Sequence, residues 1–192
     1  TIDDATKIRE EIKVEIKKLN TKNVDTIDDA VKQTVEAIKN KKDSIISKLN
    51  LTLEKYNNNK GYVSSKTYNE AYYKDTFRPI NESLLLETLR CEKYVKIIEA
   101  LKTVIDGINE AKGISKDVDV SSLNTISGEL NTNVNTLETA TTEDAINNIT
   151  IISDEDIQSA IDKVIKAANT EKDKKQKIDE AKVAYAKANT EL

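Results

Sequence analysis

Residues 82–112 read ESLLLETLRCEKYVKIIEALKTVIDGINEAK, and no other segment of the chain is apolar over so wide an arc. One set of side chains recurs at intervals of three and four residues, the period of a single helix face: Cys91, Tyr94, Ile98, Leu101, Ile105 and Ile108. A second set widens that face beyond the seam of a two-stranded coiled coil: Leu86, Leu89, Val95, Ile97 and Val104. The segment therefore predicts a central helix of roughly 45 Å that neighbouring helices contact on several sides.

The ends of this helix are also marked in the sequence. Pro79 is expected to stop whatever precedes it, and Glu82 and Glu87 suit a helix N-terminus. Lys112 and Gly113 are the cation and left-handed residue that commonly end a helix. Cys91, the one cysteine, is interpreted as a small core residue.

The rest of the chain has the composition of long helices joined by short connections, with only four glycines and one proline in 192 residues. Polar, turn-forming residues predict loops at Asn57–Gly61 and at Gly113–Val120. Six of the eight aromatic residues lie between Tyr56 and Phe77, and packing at one end of a bundle is the favoured interpretation over a binding surface. Apolar spacing and capping signals predict the other helices at 3–19, 26–56, 65–75, 123–137, 145–148 and from Ser153 onward. We expect an all-α fold, an elongated bundle of five or six helices with long antiparallel helices and short loops, with residues 1–192 forming one domain.

Within the last predicted helix, the apolar positions continue through Ile178 and Tyr185. The segment Thr170–Lys177 interrupts them with charged residues. We expect that segment to project past the bundle or to lie on its edge.

The residue types argue against catalysis. The chain has no histidine and one cysteine, which excludes Ser-His and Cys-His nucleophiles and the common zinc sites. None of the four glycines stands in a phosphate-binding loop. The paired carboxylates, such as Glu10-Glu11 and Asp28-Asp29, are explained by solvated faces and helix starts. We predict that the protein is not an enzyme and takes no cofactor or metal.

The distribution of charge is the informative feature. Residues 117–162 contain ten acidic residues and no lysine or arginine, whereas the other 146 residues carry all 30 basic residues and 24 acidic ones. Such a region of one sign attracts a partner of opposite charge. The net charge of −4 and the lack of arginine-aromatic patterns argue against nucleic acid. We therefore predict a partner-binding site in the two connections beside the 123–137 helix, at Asp117, Val118, Asp119, Glu143, Asp144, Ile151, Asp154, Glu155 and Asp156.

The whole chain resembles the helical outer-surface lipoproteins of Borrelia, most closely the factor H-binding group of relapsing-fever spirochetes. The resemblance is carried by a helical composition rich in Lys, Asn and Ile, and by two stretches, VDTIDDAV at 24–31 and KYVKII at 93–98. It implies a protein exposed on the outer membrane, whose only membrane contact is an N-terminal lipid anchor not contained in this sequence. It also implies capture of the host complement regulator factor H for immune evasion.

The same resemblance implies plasminogen as a further partner. Plasminogen's lysine-binding modules recognise exposed lysines, and the candidates are Lys172, Lys174, Lys175 and Lys177, where the last helix loses its apolar stripe. An alternative interpretation of the whole chain is an intracellular or phage-derived helical scaffold that binds other helices.

Overall fold

The computed structural model describes residues 1–24, 27–63 and 73–192, and for 60–63 it describes the backbone only. The described residues fold into α-helices and one π-helical turn at Tyr73–Phe77, with no β-strand among them. The helices are α1 (Ile2–Asn20), α2 (Asp29–Val63), α3 (Arg78–Ile114), α4 (Ser121–Thr139), α5 (Glu143–Asn147) and α6 (Asp154–Thr190). The all-α helical bundle predicted from the sequence is confirmed.

Helix α3 is central, because α1, α2, α4, α5 and α6 all contact it. Its predicted apolar face is buried, including Cys91, Tyr94 and Ile98. Burial raises the pKa of the Cys91 thiol to about 12, which fits the interpretation of this residue as part of the core. The buried apolar side chains of all the long helices form one continuous cluster around α3.

Cross-helix contacts define the direction of each helix. Asp28, directly before α2, pairs with Lys112, whereas the Ile38 carbonyl farther along α2 accepts a hydrogen bond from Tyr94, so α2 runs antiparallel to α3. Helix α6 runs parallel to α3, since Lys93 of α3 donates to the Ile149 carbonyl just before α6 begins. Near the other end, the Ser115 hydroxyl donates to Glu171 of α6 at 2.8 Å. Contacts of Glu15 with Lys102 and of Lys22 with Asp106 make α1 parallel to α3. The five long helices, α1, α2, α3, α4 and α6, thus alternate in direction along the chain.

Several helix ends agree with the sequence. Thr1 and Asp4 form a capping box at the start of α1, and the Ser153 hydroxyl caps α6 by accepting the Asp156 N–H at 3.1 Å. Thr26, where the sequence predicts the start and N-cap of the second helix, lies outside the described residues, as does most of the predicted 65–75 helix. Phe77 packs against Tyr56, with ring centroids 5.5 Å apart, so this aromatic pair contributes to packing.

Three predicted boundaries are wrong. The proposed loop at Asn57–Gly61 is helical, because α2 continues to Val63. Gly113 does not adopt a left-handed conformation, and α3 ends at Ile114, whose side chain packs on the core. Helix α3 also begins earlier than expected, at Arg78, with Pro79 in its first turn, where proline is compatible with a helix.

The last helix extends beyond the bundle. Its buried side chains end at Ala168, and every residue from Lys172 to Thr190 is exposed. Ile178 and Tyr185 continue the apolar spacing but are exposed, because α3 ends before α6 reaches them. Among the described helices, none is long and apolar enough to span a bilayer.

Candidate functional site

The predicted partner-binding residues fall into two separate parts of the molecule. Asp117, Val118 and Asp119 lie in the connection between α3 and α4. The others lie beyond the opposite end of α4, in α5, the following connection and the first turn of α6: Glu143, Asp144, Ile151, Asp154, Glu155 and Asp156. Helix α4 has 19 residues, so the two parts are roughly 28 Å apart. The structure does not bring the nine residues together into one site.

The carboxylates of the first connection are engaged within the protein. Asp117 accepts a hydrogen bond from Lys175 at 2.5 Å, and this contact lowers the pKa of Asp117. Asp119 accepts the backbone N–H of Ser121, the first residue of α4, at 2.8 Å, and this contact lowers the pKa of Asp119. Val118 is only 5% exposed and belongs to the core. These three residues therefore have structural contacts of their own.

The lysines predicted to bind plasminogen lie where α6 leaves the bundle. Lys172, Lys174, Lys175 and Lys177 are all exposed. Lys175 is paired with Asp117, and the hydrogen bond raises the pKa of Lys175. Two residues predicted to serve different partners are thus in direct contact.

The second part presents free negative charge. Glu143, Asp144, Asp154, Glu155 and Asp156, which we call the acidic end, are all exposed. None of the five forms an ion pair with any residue in the described part of the chain. They stand in the first turns of α5 and α6, where the helix dipole favours carboxylates.

Hydroxyl groups, and not these carboxylates, make the capping hydrogen bonds at the acidic end. The Thr142 side chain accepts the Ala145 N–H at 3.1 Å, and the Ser153 side chain accepts the Asp156 N–H at the same distance. The carboxylates can therefore contact a partner without giving up a cap. Ile151 lies between the two helices, partly buried against the core.

Cations from α2 and α3 hold the backbone that leads into the acidic end. Arg90, only 3% exposed, donates to the carbonyls of Leu137 and Ala140, the latter at 2.6 Å. Lys93 donates to the Ile149 carbonyl and Lys48 to the Glu138 carbonyl, both at 2.8 Å. Basic residues missing from 117–162 are thus supplied by other helices, but they reach backbone carbonyls and leave the five carboxylates free.

Sequence reasoning missed Arg90. The signal was present, because Arg90 is one of three arginines in the chain and stands inside its most apolar segment. A permanently charged side chain in such a segment is buried only when it is paired. Here the partners are Glu87, with Nε 2.9 Å from Oε2, and the end of α4.

One groove elsewhere does not resemble a small-molecule site. A groove of about 310 Å³ lies between α1 and α3 and is lined mainly by charged side chains, among them Lys7, Glu11, Glu92 and Lys96. Small-molecule pockets are usually lined by apolar side chains. Within the described ranges, no three acidic or cysteine side chains are grouped so as to hold a metal ion.

Comparison with protein-family models, with curated proteins and with solved structures found no match to this chain.

Proposed function

We propose that the protein is a non-catalytic binding protein whose acidic end docks a basic surface on a protein partner. The supporting observation is that five exposed carboxylates lack ion pairs with the described residues, in a chain that carries 30 basic residues. They are held on two helix starts, so binding requires little ordering of the protein. A potential of one sign at a fixed position accelerates association with an oppositely charged partner.

Factor H is the partner we propose. The resemblance to helical outer-surface lipoproteins of Borrelia supports it, and the basic, polyanion-binding surfaces of this regulator are complementary to the acidic end. On the same basis we propose exposure on the outer membrane through an N-terminal lipid anchor. Capture of factor H there would protect the cell from complement.

Neutralising the acidic end tests this proposal. Replacing Glu143 and Glu155 by Gln, and Asp144, Asp154 and Asp156 by Asn, keeps side-chain shape and removes five charges. We expect association with immobilised factor H to slow by about tenfold or more at low salt, and by less at physiological salt, where screening is stronger. Surface plasmon resonance at both salt concentrations measures this, with circular dichroism to verify helicity.

A second variant with the same change in net charge is the control. It replaces five exposed acidic residues elsewhere, none in a described ion pair: Asp29, Glu36, Glu54, Glu92 and Glu110. Each variant raises the net charge from −4 to +1. If both variants slow association equally, the overall charge of the protein determines the rate and the acidic end does not. If the acidic-end variant binds factor H as the wild type does, the site lies elsewhere.

Plasminogen capture by α6 is a second candidate function, favoured by the exposure of Lys172, Lys174, Lys175 and Lys177. Replacing all four by Gln is expected to reduce plasminogen binding at least fivefold without loss of helicity. The matched control replaces exposed lysines on other helices, Lys7, Lys17, Lys55 and Lys96. Plasminogen capture that survives the first set of substitutions would eliminate this function.

The rival is an intracellular or phage-derived helical scaffold that binds other helices. A pull-down from serum separates the two, because a surface receptor recovers factor H and a scaffold does not. The full-length gene gives an independent answer, since only the surface protein requires a lipoprotein signal.

A further inference from the structure

The exposed half of α6, Lys172–Thr190, has an apolar stripe that no described residue covers. Ile178 is 53% exposed and Tyr185 is 70% exposed. Together with Ala181 and Ala188 they are spaced three, four and three residues apart. This is the a and d spacing of a heptad repeat, so the four side chains lie along one side of the helix.

We infer that this stripe binds the same stripe of a second copy of the chain, with the two helices antiparallel. In an antiparallel pair, each a position faces a d position of the other helix. Ile178 then lies opposite Ala188 of the second copy, and Tyr185 lies opposite Ala181. Each large side chain meets a small one, which is how facing layers interdigitate without voids. A parallel pair would instead place Tyr185 against Tyr185 and leave the alanines facing each other.

The charges beside the stripe favour the same arrangement. In the antiparallel register, Lys177 lies beside Glu191 of the second copy, the residue that caps the end of α6 in helical backbone geometry, and the symmetric contact contains two such opposite-charge pairs. One unfavourable contact remains, between the two Lys182 side chains near the two-fold axis. The parallel arrangement would place Lys177 against Lys182 twice, with no compensating pair. Charge complementarity therefore selects the antiparallel dimer.

The contact spans about two heptads, so it buries less than the roughly 1,200–2,000 Å² of a standard stable interface. We expect a weak dimer that forms and dissociates as concentration changes.

Sedimentation equilibrium on the full chain, from micromolar to near-millimolar concentration, tests the inference. We expect a monomer–dimer equilibrium whose dissociation constant rises at least tenfold in the double variant Ile178→Lys with Tyr185→Lys. Val183→Lys is the control on the opposite side of the helix, where Val183 is also 70% exposed; it adds one positive charge, and the double variant adds two. A chain that stays monomeric throughout, or Val183→Lys acting as strongly as the double variant, overturns the inference.

Charge reversal tests the orientation. In the antiparallel dimer, Lys177→Glu and Glu191→Lys each weaken association several-fold, and the two together restore it. In a parallel dimer, Lys177→Glu would strengthen association, because it would face Lys182. Stronger dimerisation by this single variant, or no rescue by the pair, rules out the antiparallel contact.

Discussion

Replacing Arg90 by Ala is expected to lower the free energy of unfolding by about 3–5 kcal/mol, the cost of breaking a buried ion pair from one side. The guanidinium is nearly inaccessible to water and pairs with Glu87, whose side chain is also buried. It also satisfies the Leu137 and Ala140 carbonyls at the end of α4, a helix whose last turn has no basic residue of its own. The substitution leaves a buried carboxylate and helix-end carbonyls without partners. Chemical denaturation monitored by circular dichroism measures the loss.

Arg78→Ala is the matched control for this prediction. Arg78 lies on the same helix and pairs with Glu82 at 3.0 Å, but its side chain is 59% exposed. An exposed pair of this kind contributes under about 1 kcal/mol. Similar losses for the two variants would mean that Arg90 does not hold α4 to α3 and that water replaces its hydrogen bonds.

Arg90→Lys separates charge from geometry. Lysine keeps the positive charge but lacks the planar group that reaches Glu87 and two carbonyls together. We expect the free energy of unfolding of Arg90→Lys to lie between that of the wild type and that of Arg90→Ala. Because Arg90 also holds the Ala140 carbonyl ahead of Glu143, the proposed docking at the acidic end predicts that Arg90→Ala slows association with factor H, as measured by surface plasmon resonance.

The central helix could be predicted because a helix surrounded by others must be apolar on several faces, and that pattern is local in the sequence. The positions of the loops were harder to predict from the sequence. At Asn57–Gly61 the residue types favour a turn, yet Leu53 is buried and Tyr56 packs on Phe77. Once those contacts have formed a helix, extending it through each Asn costs less than about 1 kcal/mol in helix propensity, so α2 continues. Ile114 extends α3 past Gly113 in the same way.

The acidic end could be predicted as a concentration of charge, but its freedom from ion pairs could not. That depends on which lysines of α2 and α3 come near it, and these reach carbonyls instead. The contact between Asp117 and Lys175 joins residues 58 positions apart. No local pattern indicates it, because it follows from α6 running parallel to α3 and passing the α3–α4 connection.

Gly107→Ala is expected to destabilise the protein by about 1–3 kcal/mol, although alanine is the better helix former by roughly 1 kcal/mol. The reason is the closeness of α3 and α6. A Cβ atom at Gly107 would lie 2.5 Å from Cγ1 and 2.7 Å from Cδ1 of Ile161. Ile161 is β-branched and buried in a helix, where its χ1 angle strongly prefers one rotamer, so moving it aside is costly. Thermal or urea unfolding measures the effect.

Gly128→Ala is expected to have the opposite effect on stability. Gly128 also lies inside a helix, but a Cβ atom there meets nothing within 4 Å. Only the change in helix propensity remains, and we expect stabilisation of up to about 1 kcal/mol. Ile161→Ala should lower the free energy of unfolding less in the Gly107→Ala background than in the wild type. In that background it removes the clash with the new Cβ atom as well as apolar contacts. Equal costs in both backgrounds, or stabilisation by both glycine substitutions, would show that Gly107 does not set the distance between α3 and α6.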